Sequence, residues 1–455
     1  MTHHPDVLIL GGGSGGYACA LRAAQLGMSV TLIEADRVGG TCLHRGCIPT
    51  KALAHAAETA ATVAHAATVG IGATLGTVDL AAVHRYQDGV VDRLFRGLQG
   101  LLRNRRIDIV TGIGHYAGGT SIMVGTDRYT GKSLVLATGS EPRDLPGIEL
   151  DNRILTSDQA LVHPTLPGRA VVLGGGVIGV EFASIWSQLG SEVTIIEGLP
   201  RLLPAEDEWS STTLGRALAR NGVEIRTDTR VISITEHTDS VDITLDCGEH
   251  LTADLLLVAV GRVPRTSGIG LADGGIATDA DGFVEVDQRL SCTVAGVHAV
   301  GDVVAGPQLA HRAFQHGIFV AETLAGLSPQ AVADEMIPRI AYCAPQVASV
   351  GLTEEQARQR FSNVRTAIYD LAGNAKSQIL GTPGAVKVIT GDGPVVGVHL
   401  VGDRVGELIG EAQLIVNWGA HPEDVAGLIH AHPTQNEALG EAHLMLADMA
   451  FHAHH

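Results

Sequence analysis

Apolar positions in this chain fall into short unbroken runs that end in glycine. Val7-Leu8-Ile9-Leu10 runs into Gly11-Gly12-Gly13-Ser14-Gly15-Gly16. A run of that length without polar alternation predicts a strand buried on both faces, as in a parallel sheet. The Ala-rich stretch up to Leu26-Gly27 predicts a helix, and Ser29 to Glu34 predicts a second strand. The same order then returns: Ala170-Val171-Val172-Leu173, then Gly174-Gly175-Gly176-Val177-Ile178-Gly179, a helix through Leu189-Gly190, and a strand from Glu192 to Glu197. The spacing from Gly11 to Glu34 equals that from Gly174 to Glu197. An internal repeat of strand, glycine turn, helix, strand and terminal acid predicts two nucleotide-binding βαβ units.

The chemistry of each unit follows from its residue types. Gly11 and Gly174 permit the tight turn, Gly13 and Gly176 let a pyrophosphate approach the backbone, and Gly16 and Gly179 let helix pack on strand. The helix start, which includes Val177 and Ile178 in the second copy, offers free N–H groups and the positive end of the dipole. Glu34 and Glu197 can accept bonds from ribose hydroxyls. A single such motif reads equally well as an ordinary glycine turn; its recurrence with strand, helix and acid favours dinucleotides. Glu197, with no arginine next to it in sequence, favours NAD over NADP, because a carboxylate repels a 2′-phosphate.

Towards the C-terminus the pattern changes to α+β. Thr353-Glu354-Glu355-Gln356 reads as a helix cap, Gly391-Asp392-Gly393 joins two β-branched strands, and Glu407 to Trp418 and Glu423 to His430 read as helices. A length of 455 residues exceeds one hydrophobic core and predicts several domains. The formal net charge of −18 argues against a nucleic-acid binder. No apolar run approaches the roughly 20 residues of a membrane span, and the N-terminal segment shows no signal-peptide pattern, so a soluble cytoplasmic protein is expected. The 57 glycines suggest many places where backbone must approach backbone or ligand.

Six cysteines are too few for a secreted disulfide framework. Two of them, Cys42 and Cys47, lie in Gly39-Gly40-Thr41-Cys42-Leu43-His44-Arg45-Gly46-Cys47-Ile48-Pro49-Thr50-Lys51, directly after the first ribose-binding strand. They can close a disulfide across one irregular turn, ahead of a helix expected from about Pro49. The helix dipole, and Lys51 if it lies close, would favour Cys47 as a thiolate. Two buried thiols that never pair remain the alternative, and a metal pair is disfavoured because no second Cys or His pair is spaced to complete it. Taken singly, other candidates read plainly. Gly301-Asp302 is a strand-end turn, Thr138-Gly139-Ser140 a surface turn, and Lys51 and Glu181 are solvated charges. Thr434-Gln435-Asn436-Glu437 fits a capping box, with Thr434 as N-cap and Glu437 at the third helical position. His432 alone would be a surface histidine, and the tail Phe451-His452-Ala453-His454-His455 a solvated one.

Together these segments resemble the flavin-dependent pyridine nucleotide-disulfide oxidoreductases, and within them the dihydrolipoamide dehydrogenases most of all. The likeness runs from end to end, through Leu136-Ala137-Thr138-Gly139-Ser140, Val260-Gly261-Arg262-Val263-Pro264, Ala299-Val300-Gly301-Asp302 and His430-Ala431-His432-Pro433-Thr434. The resemblance implies an α/β fold with two Rossmann-like FAD- and NAD-binding domains and an α+β C-terminal dimerisation domain. Its segments would be 1–145 for FAD, 146–265 for NAD, 266–335 for a central return to FAD, and 336–455 for the interface.

In residues, it implies that FAD is held by Gly11, Gly13, Gly16, Glu34, Gly40, Thr41, Lys51, Gly114, Thr138, Gly139, Ser140, Asp302, Leu309, Ala310 and His311. NAD would be held by Gly174, Gly176, Val177, Ile178, Gly179, Glu181, Glu197, Val231 and Gly261. The implied catalytic set is Cys42 and Cys47 as redox pair, Lys51 and Glu181 as an ion pair beside the flavin, and His432 with Glu437 as acid/base dyad. No metal is implied. The dyad would complete the disulfide site of the other subunit of a homodimer that serves lipoyl domains and the acyltransferase core of a 2-oxoacid dehydrogenase or related complex. A low-molecular-weight disulfide reductase of mycothione or glutathione type, and a docking subunit, are the rival readings. His44-Arg45, Gln435-Asn436 and Cys343 depart from common family choices.

Overall fold

The computed structural model describes residues 4–145 and 147–453. The expected terminal segment before His4 and the end of the histidine tail, His454 and His455, lie outside the described residues. Contacts group the chain into two units. One takes the chain up to Leu53, then Ala81–Asp144 and Gly261–Asp334; the other takes Ala54–Leu80, Leu145–Val260 and the chain from Glu335 onward.

The first unit is built on a five-stranded parallel sheet in the order Val297–Ala299, Ser133–Leu136, Val7–Leu10, Val30–Glu34, Asp108–Thr111. Val7 to Leu10 are all buried, as the unbroken apolar run requires of a central parallel strand. Helix Ser14–Gln25 returns across the sheet to Val30–Glu34 and packs on helix Ala310–Leu324. A three-stranded antiparallel meander, Gly114–Tyr116, Ser121–Val124 and Asp127–Thr130, completes this half. Gly114 is dictated by packing, since a Cβ there would lie 2.5 Å from Leu10 Cδ1.

The second unit repeats the plan. Its parallel sheet runs Glu224–Arg226, Glu192–Ile196, Arg169–Leu173, Leu255–Val258, Ile154–Leu155, with helix Val177–Gln188 as the first crossover and the meander Val231–Glu236, Val241–Leu245, His250–Ala253. The same unit holds a five-stranded antiparallel sheet, Arg339–Ala341, Gln346–Gly351, Val395–Gly402, Ala385–Gly391, Val364–Asp370, covered by helices Val405–Asn417 and Glu437–Leu446. Buried ion pairs tie the two sheets' surroundings together: Lys387 reaches Asp207 at 2.7 Å and Glu354 at 2.8 Å, and Arg339 reaches Glu206 at 2.9 Å. Among the described residues no helix is long and apolar enough to cross a membrane.

Three boundaries differ from expectation. The helix after the cysteines starts at Cys47 rather than Pro49; Gly46 accepts the first helical bond, from Thr50 N–H, and proline is tolerated inside a first turn. The helix expected over Glu423 to His430 is only Pro422–Ala426, with Gly427 as its C-cap. Thr434 does not cap the last helix. Asn436 is its N-cap and Glu437 its first residue, while Thr434 Oγ1 donates backwards to the Ala431 carbonyl.

Candidate functional site

The two glycine turns match atom for atom. Gly11 has φ +103° and a Cβ there would sit 2.2 Å from the Ala137 carbonyl oxygen; Gly174 has φ +109° and the corresponding distance to Ala259 is 2.4 Å. A Cβ on Gly16 or Gly179 would lie 1.8 Å from the carbonyl oxygen of Gly11 or Gly174, so helix and strand meet there without room for a side chain. The middle glycines are different. Gly13 and Gly176 have unstrained φ of −72° and −73°, and a Cβ on Gly176 meets no atom within 4 Å. No protein contact demands glycine at these two places, which is what a cradle kept open for a pyrophosphate looks like. Both helices start without a side-chain cap or first-turn acid, so their N–H groups and dipoles are available to an anion.

Glu34 and Glu197 have a second duty that spacing alone did not reveal. Gly12 N–H donates to Glu34 Oε2 at 2.6 Å and Asp36 N–H to Oε1 at 2.9 Å; Gly175 N–H and Leu199 N–H do the same on Glu197, at 2.6 and 2.8 Å. Each acid braces its glycine turn, and its carboxylate has lone pairs beyond those two bonds. The stem of Arg230 lies beside Gly198, so the absence of arginine around Glu197 holds along the chain but not in space.

The redox segment is seated on the first cradle through glycine. Gly40, with φ +59°, packs so close to Gly13 that a Cβ would lie 2.6 Å from Gly13 Cα. Cys42 follows within the short helix Gly40–His44, and Cys47 opens the next helix, Cys47–His65. The two side chains are hydrogen-bonded thiols. That bond to Cys47, then burial, then the Cys47 charge push the Cys42 thiol up, while the charge of Lys51 opposes them. Lys51 therefore acts on the pair from the same helix as Cys47, one turn further on. Tyr17, on the helix of the first cradle, also faces the pair: burial and then the charges of Cys42 and Cys47 push its hydroxyl up to about 12. His44 is a loop anchor, with Nε2 3.0 Å from the Val38 carbonyl and its ring edge-on to Phe95. The Arg45–Asp36 pair, at 3.6 Å, is exposed and contributes little.

Asp302 stands in a 3-10 turn, Gly301–Val303, three residues past the last strand residue, Ala299, rather than at the strand's end. Ser140 Oγ donates to Asp302 Oδ2 at 2.7 Å, and Arg262 donates from Nε to Ser140 Oγ at 2.8 Å. Thr138 Oγ1 donates to the Arg265 carbonyl at 2.7 Å, and Arg265 N–H to the Gly139 carbonyl at 2.9 Å. The motifs at 138–140, 262–265 and 301–302 thus converge. Leu309, the N-cap, and Ala310 and His311, the first turn of helix Ala310–Leu324, belong to the same unit. The buried Gln308 Nε2 beside them has no partner among the described residues, an orphan donor that suits an acceptor-rich ligand. Val231 opens a meander strand in the second unit, whereas Gly261, φ +110°, falls in the first and accepts from Arg143 N–H at 3.0 Å.

In the second unit, His432 Nδ1 lies 2.8 Å from Glu437 Oε1. Thr434 N–H donates to Glu437 Oε2 at 2.8 Å, so one carboxylate orients the imidazole and closes half of the expected capping box. Burial opposes ionisation of Glu437, but the Thr434 amide and His432 outweigh it and hold the carboxyl below its ordinary value. The His432 side chain is 71% exposed, and with Nδ1 tied to the acid, Nε2 is left for proton exchange.

The chain matches the profile of pyridine nucleotide-disulphide oxidoreductases over residues 5–317 and that of their dimerisation domain over 337–443. The chain belongs to this family. It is similar to a dihydrolipoyl dehydrogenase of Thermus scotoductus, 40% identical over 98% of both chains, and to one of Bacillus subtilis, 38% identical over 99% of this chain and all of the other. Among solved structures it is similar to LpdA from Mycobacterium tuberculosis, with TM-score 0.90, 25% identity and coverage of 97% and 99%. The flavoprotein disulfide reductase RclA from Escherichia coli follows with TM-score 0.89, 28% identity and coverage of 98% and 100%. The family's FAD and NAD(H) are the cofactors of this oxidoreductase.

Within this family frame, Glu181 is buried on helix Val177–Gln188 and accepts from the Tyr342 N–H at 2.9 Å. It is therefore not the solvated helix charge that its position alone suggested. Tyr17, Arg262 and Tyr342 were not singled out beforehand for these contacts. A tyrosine one residue after a glycine cradle carries no sequence signal of facing a cysteine pair, because that proximity is purely tertiary.

Proposed function

We propose that this chain oxidises protein-bound dihydrolipoyl groups to the cyclic disulfide and reduces NAD+ to NADH, through FAD and the Cys42–Cys47 redox pair. The observation that carries the reading is the hydrogen-bonded Cys42–Cys47 pair on a loop packed glycine-on-glycine against the first dinucleotide cradle. His432 Nε2 of one subunit takes a proton from a substrate thiol, and Glu437 holds the imidazole in the required tautomer and stabilises its charge. The substrate thiolate attacks Cys42 of the disulfide form, giving a mixed disulfide and Cys47 thiolate. The second substrate thiol displaces Cys42, which leaves as the thiol with the first proton returned by His432, while His432 takes up the proton of the second thiol. The product is the lipoyl disulfide, and two electrons and one proton remain on the cysteine pair. Lys51 lowers the cost of thiolate at this pair. FAD, when bound, supplies the two-electron path from the dithiol to NAD+.

The residues assigned to FAD and NAD in the sequence, the Lys51–Glu181 ion pair and the four segments 1–145, 146–265, 266–335 and 336–455 are part of this proposal. So are a cytoplasmic location and service to the lipoyl domains and acyltransferase core of a 2-oxoacid dehydrogenase or related complex. The homodimer is supported by exposed apolar side chains on the C-terminal part, with Trp418 76% and Ile429 100% exposed, the latter three residues before His432. Steady-state assays with dihydrolipoamide, mycothione and glutathione disulfide, each with NAD(H) and NADP(H), test the reading. Preference for the lipoyl couple with NAD(H) is expected; turnover of mycothione or glutathione disulfide without the lipoyl couple would replace it, and no turnover of any would favour a docking role.

A further inference from the structure

Glu411, on helix Val405–Asn417, lies under the loop that carries His432. Its Oε1 is 2.8 Å from His430 Nε2, and its Oε2 accepts from Asn436 Nδ2. One carboxylate therefore grips the chain two residues before His432 and four residues after it. Asn436 is also the N-cap of the helix whose first residue is Glu437, so the same bond fixes where the orienting acid begins. His430 is seated against that helix at Gly440, where a Cβ would lie 2.6 Å from its Nδ1. The loop between is held by Asn374 Nδ2 on the Thr434 carbonyl at 2.9 Å and Gln435 Nε2 on the Asp403 carbonyl at 3.2 Å. The departures at Gln435 and Asn436 thus both anchor the dyad loop.

We infer that Glu411 is a positioning residue for the acid/base dyad: by bridging His430 and Asn436 it sets the separation of His432 from Glu437. The bridge favours the charged form of both groups. The bond to Glu411 raises His430 above its ordinary value, and the bond to His430 holds Glu411 below its own. Both groups are largely shielded from water, with side-chain exposures of 12% and 27%, so the clamp is not an exposed pair that solvent dissolves. Glu411 touches no reacting atom in this scheme and acts only through His432.

This inference rests on His432 being the acid/base, and the test separates the two. In the dimeric holoenzyme, Glu411→Ala is expected to lower kcat for dihydrolipoamide by roughly ten- to a hundred-fold, the cost of a misplaced catalytic group, with KM changed by no more than about two-fold. Oxidation of NADH by an artificial acceptor and flavin absorbance are expected to stay near wild type. Asn436→Ala, which removes one arm of the clamp, is expected to give a smaller fall in kcat, and Glu411→Ala/Asn436→Ala no more than Glu411→Ala alone. The double variant Glu411→Ala/His432→Gln should be no slower than His432→Gln. An unchanged kcat in both single variants, an effect that adds fully to His432→Gln, or parallel loss of lipoyl and artificial-acceptor activities overturns the inference. If His432→Gln itself leaves dihydrolipoamide turnover intact, it is the dyad reading that fails.

Discussion

Two glycines of the second cradle, Gly176 and Gly179, make opposite demands that a pair of alanine substitutions separates. At Gly179 the new Cβ would lie 1.8 Å from the Gly174 carbonyl oxygen, so helix Val177–Gln188 must retreat by about 1.2 Å to restore a contact of about 3 Å. Nothing flexible lies in the way; both partners are backbone. Overpacking of this kind costs about 1–3 kcal/mol and also tilts the N–H groups away from the anion. Gly179→Ala should therefore melt earlier without ligand and bind NAD more weakly. At Gly176 the backbone is at φ −73° and the Cβ enters open space, so apo stability should be unchanged or slightly raised. The methyl group would occupy the approach of a pyrophosphate, and NADH affinity should fall about ten- to a hundred-fold, about 1.4–2.8 kcal/mol. Thermal melting without nucleotide and NADH titration on flavin-replete protein measure the two quantities. If Gly176→Ala binds NADH like wild type, or loses as much apo stability as Gly179→Ala, the open cradle is not the nucleotide site.

Other outcomes follow from the same geometry. His432→Gln should slow dihydrolipoamide turnover by ~10² to 10⁴, the usual range for an acid/base group, and Cys42→Ser should abolish it with flavin absorbance retained; loss of flavin in Cys42→Ser would remove that cysteine from its assigned role. Co-expressed Cys42→Ser and His432→Gln subunits should regain activity in the mixed dimer if each site takes cysteines from one subunit and dyad from the other; no gain over the parent dimers would place the dyad within its own subunit. Lys387→Met strands Asp207, 3% exposed in its side chain, and should cost about 3–5 kcal/mol in denaturant unfolding. For Asp207 burial opposes ionisation, but the Glu354 N–H and Lys387 outweigh it; for Glu354 the Lys387 bond lowers it first. Both folded carboxyls titrate below their ordinary 3.8 and 4.5, so their stabilisation is present above those values and lost as pH falls through the lowered folded ones. Melting temperature measured from neutral pH down to about 3 should drop more in wild type than in Lys387→Met; equal slopes would deny the pair this role.

The amino-acid sequence by itself determined whatever depends on local chemistry at fixed spacing. Unbroken apolar runs ending in glycine could only be buried strands leading into tight turns, and their repetition with a terminal acid specified two cradles. Thr353 and Gln356 formed the capping box that their spacing required. The Cys42–Cys47 pair was legible because it lies within one loop and its following helix, whereas the His432–Glu437 pair was legible only through the resemblance to the family. The tertiary structure decided what depends on segments far apart in the chain. Glu181 became buried under Tyr342 N–H, Asp302 was tied to Ser140 across 162 residues of sequence and Ser140 to Arg262 across 122, and Tyr17 was turned towards the thiols. The helix limits near Thr434 also lay beyond local pattern. Thr434 and Glu437 satisfied a capping signature, yet the side chain of Glu437 was claimed by His432, and Glu411 held Asn436 at the cap instead. Competition for one carboxylate is settled by which donors packing brings to it, and only the folded chain supplies them.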